Sequence, residues 1–323
     1  MILTATRDFV FKKSSELSAL EKGQFRALFG RVFGKEMSSE WFERKYTCTP
    51  LGYSHHGLMV IEGRVVGAYN LVPYRYKCFG ADVLFGLSVD AMIDEAHRTG
   101  PFNMVKMARL VYEGAVQDGV AFAFGFPNDQ AYVFTKKILK WQDLGELEFY
   151  ALPIDIGAVC RSLRWARPFS RLCAAALVKL PRWRRSVVAD FAIEKVADET
   201  FCHHRYDEQH VVVGLSQGGS CVYRLYDEAD GVKTLYLLDV SPLTAAHLAE
   251  AVQAVYPVAA AHAHLILYVG RLPFRPYGLL RIPPARCPRR IRMCAKLLDP
   301  QCDNNRVFDI DNWNINISNL DVR

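Results

Sequence analysis

The sequence predicts a mixed α/β fold made of two successive domains, and three observations predict it. Residues 58–89 read as two β-hairpins in a row. Gly86–Asn128 (GLSVDAMIDEAHRTGPFNMVKMARLVYEGAVQDGVAFAFGFPN) reads as strand, loop, helix and strand. From about Phe191 the same grammar returns in weaker form. Strands interleaved with helices in this way give a mixed sheet covered by helices on both faces.

Along the chain, Asp8–Lys12 is a short strand and Leu17, Leu20, Phe25, Leu28, Phe29 and Val32 give the next helix its apolar face, ended by Gly34. Residues 38–47 form a second short helix with Ser38 or Ser39 as N-cap. The first hairpin is Leu58–Ile61, a turn at Glu62-Gly63-Arg64, and Val65–Val72; the second is Tyr74–Cys78, a Phe79-Gly80 turn, and Val83–Val89. An alternating strand then ends near Ile93, a tight loop covers His97–Pro101, and an amphipathic helix runs from Phe102 to Asp118. Met104, Ala108, Val111 and Ala115 recur at helical steps, and Gly119 sits where a C-cap glycine belongs. Strand Val120–Phe126, helix Gln130–Ile138 and a strand around Leu147–Leu152 complete the first domain, 1–154.

Residues 155–190 form a basic, amphipathic helical connector. Val159, Leu163, Ala166, Phe169, Leu172, Ala176 and Leu180 keep helical steps, interrupted by Pro168 and Pro181, with Trp165 and Trp183 among the arginines. Such a segment either packs on its own protein or touches a membrane surface. In 191–323, Val211–Gly214, Cys221–Tyr226 and Lys233–Val240 stand for the strands. A helix begins at Ser241-Pro242, with Ser241 as cap, and ends near Val255. His264–Val269 answers Val120–Phe126, and Phe308–Arg323 alternates as a final strand. No glycine loop precedes the second helix, so this half is not expected to hold a diphosphate.

Composition narrows the class. Half of the 323 residues are hydrophobic and 12% are aromatic, which suits packed cores. Nine cysteines without a Cys-x-x-Cys point to reduced thiols rather than a disulfide scaffold. MILTATRDFVFKK lacks the basic and apolar regions of a signal peptide, and no uncharged run approaches a membrane span. A cytoplasmic protein is expected, placed at the inner membrane face if the connector touches lipid. The net charge of +6 is concentrated in two stripes, Arg161–Arg185 and Arg271–Arg292, which suit polyanions unless they are simply solvated faces. His55-His56, Cys202-His203-His204 and His262-x-His264 lack a third ligand at useful spacing, so no metal is expected.

Ser88-Val89-Asp90-Ala91-Met92, then Gly100-Pro101-Phe102, then Gly125-Phe126-Pro127-Asn128, Tyr132, Lys136-Lys137 and Trp141 follow one another at spacings that resemble the GNAT superfamily of acyl-CoA-dependent N-acyltransferases. Lys45-Tyr46-Thr47, Pro50-Leu51-Gly52 and the hairpin Ile61–Gly67 extend the likeness, which covers about half the chain, roughly residues 20–155. The resemblance implies a GNAT fold, in tandem with a degenerate second copy, and acetyl-CoA or another acyl-CoA as co-substrate. It departs from the pattern at the phosphate loop: His97-Arg98-Thr99-Gly100-Pro101-Phe102 keeps only the central glycine, and Pro101 has no N–H. A helix start behind a glycine loop attracts diphosphates; the alternative is an ordinary turn. Arg98 would supply charge, with Thr99, Gly100 and Phe102 completing the loop.

Acyl transfer needs the amine deprotonated, the oxyanion held and the thiolate protonated. The resemblance assigns the oxyanion amide to Met92 or Ile93 and the pantetheine contact to Asn128, which a cap role also explains. Asp90 is placed to accept the amine proton or to serve as a structural aspartate, and Tyr132 is the nearest phenol to the thiolate. The expected function is acetyl transfer to an amine, with an amino sugar of a bacterial surface polysaccharide, or its nucleotide- or lipid-linked precursor, as acceptor. Two other readings stay open: a Fem-like transferase using aminoacyl-tRNA, and a non-catalytic binding protein with a decayed loop. No nucleic-acid partner is expected outside the Fem-like reading.

Overall fold

A computed structural model describes residues 7–179, 191–216, 218–302 and 304–320. The chain forms two compact units. The first comprises Met1–Gly145, Ile193–Arg205 and Ile291–Asp309; the second comprises Glu146–Ala192, Tyr206–Arg290 and Ile310–Arg323.

In the first unit, β1 (Arg7–Lys13), β2 (His55–Ile61), β3 (Arg64–Cys78) and β4 (Ala81–Ile93) form an antiparallel meander. The two expected hairpins share the long β3. Their turns hold Glu62-Gly63 and Phe79-Gly80 at positive φ, the pairing whose twist matches that of the flanking strands. β5 (Val120–Gly125) runs parallel to β4, as the connecting helix Phe102–Gln117 requires. Gly34 and Gly119 both take the left-handed conformation where the sequence places helix ends, and Ser38 caps its helix through the Trp41 amide. Strand Arg292–Leu297, not anticipated from sequence, lies antiparallel on the far edge of β5, with Cys294 opposite Gly125.

The helix Phe102–Gln117 buries Met107, Ala108, Val111 and Ala115 against Met59, Tyr69 and Leu71. Two glycines bring it down onto the sheet. A Cβ at Gly57 would stand 2.4 Å from the Met107 carbonyl oxygen, and one at Gly114 would stand 2.3 Å from the Phe11 ring.

The second unit has a sheet ordered Leu280–Arg281, Glu148–Pro153, Leu265–Gly270, Lys233–Ser241, Ser220–Asp227 and Val211–Gly214. Lys233–Ser241 and Leu265–Gly270 are parallel, joined by the helix Ala245–His262. Three expectations are corrected here. The helix is capped by Thr244, whose hydroxyl accepts from the His247 amide at 3.0 Å, and not by Ser241. It continues past Val255 to His262, because Val255 and Ala259 carry on the buried face. The tail 308–320 contains only the two-residue strand Trp313–Asn314 among short 3-10 turns: Asn304, Asn316 and Asn319 bond local amides and so compete with a ladder. The connector is helical over Ile156–Val159, Arg161–Ala166 and Arg167–Lys179; Leu180, Pro181, Arg182, Trp183, Arg184 and Arg185 lie outside the described residues. Among the described residues no helix is long and apolar enough to cross a membrane.

Close approach at Gly57 sets a prediction. Gly57→Ala should destabilise the protein by about 1–3 kcal/mol through overpacking against backbone. Gly30→Ala, on a helix with its nearest obstacle 3.8 Å away, should instead stabilise by up to about 1 kcal/mol. Denaturant unfolding of the two variants checks both signs.

Candidate active site

β4 and β5 share a ladder only from Leu84/Val120 to Leu87/Phe124. Beyond that pair, β3 is the strand that Ser88–Ile93 pairs with, and the end of β5 pairs with Arg292–Leu297. A bulge drives the parting. Ala68 faces Met92 and Asn70 faces Val89, so β4 carries an extra residue at Asp90-Ala91, and Asp90 takes a φ of 44°. For a non-glycine residue this conformation is uncommon and needs support from its surroundings.

That support is a chain of polar groups. The Asn70 carboxamide donates to the Asp90 carbonyl at 3.0 Å and accepts from His56 Nδ1 at 2.8 Å. Nδ1 therefore donates to Asn70, and Nε2 lies 2.8 Å from the Ser54 hydroxyl, which donates to the Tyr46 carbonyl at 2.8 Å. Burial pushes the His56 pKa down to about 4, so the ring is neutral at physiological pH. The Asp90 carboxylate itself is held by the Lys45 ammonium and the Tyr46 hydroxyl. Lys45 and Tyr46 are nearly inaccessible, whereas Asp90 is half-buried and Ala91 is exposed. The carboxylate is thus held by two buried partners within a residue that is itself only half-buried.

Alternation separates the two oxyanion candidates. The Asp94 amide donates to the Val66 carbonyl on β3 at 2.8 Å. Amides two residues apart in a strand point the same way, so Met92 also faces β3 while Ile93 faces the side that β5 has left. By this alternation the Met92 amide belongs to the ladder, and Ile93 is the candidate whose amide faces away from β3.

The loop after β4 folds back on the strand. Arg98 Nε donates to the Ile93 carbonyl at 2.9 Å, and Asn103 Nδ2 donates to the His97 carbonyl at 3.1 Å. Arg98 is therefore a brace as well as an exposed charge. Gly100 has a φ of 81° with open space where a Cβ would stand. Thr99, Gly100 and Pro101 are exposed, the helix start bears no side-chain cap, and Phe102 is 73% exposed at its head. A glycine turn, an uncapped helix start and an exposed ring fit a diphosphate with its attached arm, one amide short because of Pro101.

Two other expected residues are engaged. Asn128 Oδ1 accepts from the Ala131 amide at 2.9 Å and caps the helix Asp129–Lys137. The Tyr132 hydroxyl donates to Asp143 and accepts from Lys136 at 3.2 Å, while the Arg292 guanidinium lies 4.6 Å from its ring centre. The Asp143 bond raises the Tyr132 pKa above that of a free phenol, so the proton is retained. Sequence reasoning missed a second phenol network at the parting strands. Ser88 Oγ donates to Tyr69 OH at 3.1 Å, Tyr69 OH bonds Tyr112 OH at 2.9 Å, and Trp141 Nε1 donates to Tyr112 OH at 2.9 Å. Burial pushes Tyr69 up to about 12. The available signal was four polar-tipped side chains inside otherwise apolar elements.

In the second unit, Arg271 and Arg281 both bond Glu148, at 2.8 and 2.6 Å, so part of that arginine stripe is neutralised internally. Among the described residues, no three histidine, cysteine or acidic side chains group as metal ligands would.

The fold is that of the GCN5-related N-acetyltransferases. A GCN5-related N-acetyltransferase from Kribbella flavida superposes with a TM-score of 0.62 at 13% identity, covering 91% of this chain and 72% of the other. A probable N-acyltransferase of unknown function from Enterococcus faecalis gives 0.57 at 11% identity, over 91% and 73%. A GCN5-related N-acetyltransferase from Anabaena variabilis gives 0.57 at 10%, over 90% and 73%. No family model and no curated protein matches the sequence.

His56 yields a prediction with a definite sign. Its folded pKa of about 4 lies below the ordinary 6.5, so between these values the unfolded chain binds a proton that the folded chain does not. The stability it contributes is complete above pH 6.5 and is lost as pH falls towards 4. From pH 7 to pH 5 this group should lower the unfolding free energy by about 2 kcal/mol. Denaturant unfolding at the two pH values, compared with His56→Asn, should show a smaller drop in the variant.

Proposed function

We propose that this protein is an acyl-CoA-dependent N-acyltransferase, with acetyl-CoA as donor and an amine as acceptor. The observation that carries the reading is the parting of β4 from β5 beside a glycine turn and an uncapped helix start, with an ion-paired carboxylate at the bulge. The loop 98–102 takes the donor's diphosphate through the amides at the helix start, Gly100 giving close approach and Arg98 adding charge. The acyl-bearing arm lies along the free edge of β4, where the Ile93 amide donates to the thioester oxygen and, as that carbon becomes tetrahedral, to the oxyanion.

Asp90 accepts the proton of the incoming ammonium, directly or through water. Its fixation by Lys45 and Tyr46 holds the carboxylate in one direction. The amine attacks the thioester carbon, the C–S bond breaks, and the thiolate takes a proton from a phenol. Tyr132, which retains its proton at neutral pH, is the assigned donor. Asn128 marks the end of β5 beside the arm. The resemblance in sequence favours an amino sugar of a bacterial surface polysaccharide, or its nucleotide- or lipid-linked precursor, as acceptor.

Calorimetric titration with acetyl-CoA tests the donor. Micromolar binding by the natural protein, abolished by Gly100→Glu, is expected. The bound state should also resist unfolding by about 2.7 kcal/mol more at one hundred times Kd. No binding by the natural protein would remove the reading. In an assay of thiol release over a panel of amino sugars, Asp90→Asn should lower kcat by about two orders of magnitude or more while donor binding stays unchanged. Equal rates in the variant would take the base role away from Asp90.

A further inference from the structure

The helix Arg167–Lys179 in the second unit has two apolar stripes, and the fold uses one of them. Ala174 is buried, and Leu177 and Val178 pack against the core of that unit. On the opposite side, Phe169 and Leu172 are 64% and 70% exposed, with Ala176 exposed one turn further on; Trp165, 72% exposed, precedes them in the 3-10 segment Arg161–Ala166 that leads into the helix.

The rotation of the helix is pinned. Ser170 Oγ donates to the Ile154 carbonyl at 3.0 Å and accepts from the Ile156 amide at 3.1 Å. Buried Asp155 holds Arg167 at 2.6 Å and Arg171 at 3.4 Å. The outer stripe cannot turn inward without breaking these bonds and stranding a buried carboxylate. An exposed, contiguous run of large apolar side chains on a fixed helix marks a contact surface.

Charge names the partner. Between Ile156 and Lys179 the chain carries four arginines and one lysine and no acidic side chain. Arg161, Arg164, Arg171 and Lys179 are exposed around the stripe. A second copy would set these like charges face to face, whereas an anionic bilayer offers phosphates to the arginines and acyl chains to the indole and phenyl rings. We propose that this face docks the protein on an anionic lipid surface, with Trp165, Phe169 and Leu172 entering the headgroup layer. The inference goes beyond acyl transfer and does not depend on it.

The test is co-sedimentation of the full chain with vesicles of phosphatidylcholine alone and of phosphatidylcholine with about one third phosphatidylglycerol. Binding to the anionic vesicles only, weakened by salt, is expected, with quenching of protein fluorescence by brominated lipid. The combined variant Trp165→Ala, Phe169→Ala, Leu172→Ala should lose about tenfold or more of the partitioning. Its melting temperature should be unchanged, since the three side chains are exposed. Failure to bind, equal binding to neutral vesicles, or full binding by the variant would overturn the proposal. So would stripe-dependent dimerisation in sedimentation analysis without vesicle binding.

Discussion

Two parallel strands share a ladder only while they stay about 4.8 Å apart, and the first unit is arranged around the point where β4 and β5 stop doing so. Past Leu87 and Phe124, every β4 peptide group that loses its β5 partner must be satisfied some other way. The Asp90 carbonyl goes to the Asn70 side chain and the Ile93 carbonyl to Arg98. The Ile93 amide is left facing the gap. An amide facing the gap beside an ion-paired carboxylate results from this accounting, and the same chain of bonds accounts for the full burial of His56 and Asn70 in the sheet. Each polar group in that chain is partnered, so its burial is tolerated.

The same parting depends on how low the covering helix sits. Gly57 and Gly114 admit Met107 and Phe11 at distances that no Cβ would allow, and Asn103 at the helix start ties back to the loop and to Arg7 at 3.1 Å. The helix start, the glycine turn and the end of β4 are therefore set by packing and side-chain bonds together. A loop defined this way can present backbone amides without a cap residue of its own.

Local signals carried much of this. Hairpin turns, glycine caps and the helical steps of Met104–Ala115 depend on neighbours in sequence, and the strand–loop–helix–strand unit came from them. Long-range pairing did not. Nothing in Arg292–Leu297 says that it lies on β5 some 170 residues earlier, because an apolar strand does not name its partner. At the candidate site, the places of Asp90 and Ile93 on β4 and of Gly100 in the following loop are legible from position along the unit. Lys45 and Tyr46 stood in the quoted pattern, yet their bonds to Asp90 cross 45 and 44 residues, a relation that spacing alone does not encode. Tail residues failed for a different reason: alternation suggested a strand, but asparagines satisfied the backbone locally first.

That tail also explains the difference between the two halves. In the second unit the parallel pair again ends, after Leu237 and Tyr268, and the ladder with Ser220–Asp227 shifts register between Val222 and Tyr223, beside Asp239. Here the space past the last pair is taken by the chain itself. The Arg271 amide donates to the Ile315 carbonyl at 2.9 Å, Gly270 bridges to Asn316, and Asn316 Nδ2 donates to Asp239 at 2.9 Å. A Cβ at Gly270 would stand 2.7 Å from the Ile315 oxygen, so the tail lies against the strand end. The aspartate beside this bulge thus spends its oxygens on Asn316 and on Tyr206, at 3.1 Å. The one beside the first bulge is anchored by Lys45 and Tyr46 and is half-buried. In the first unit the edge of β4 past Leu87 has no β5 partner, while in the second unit the protein's own backbone lies at the end of the parallel pair.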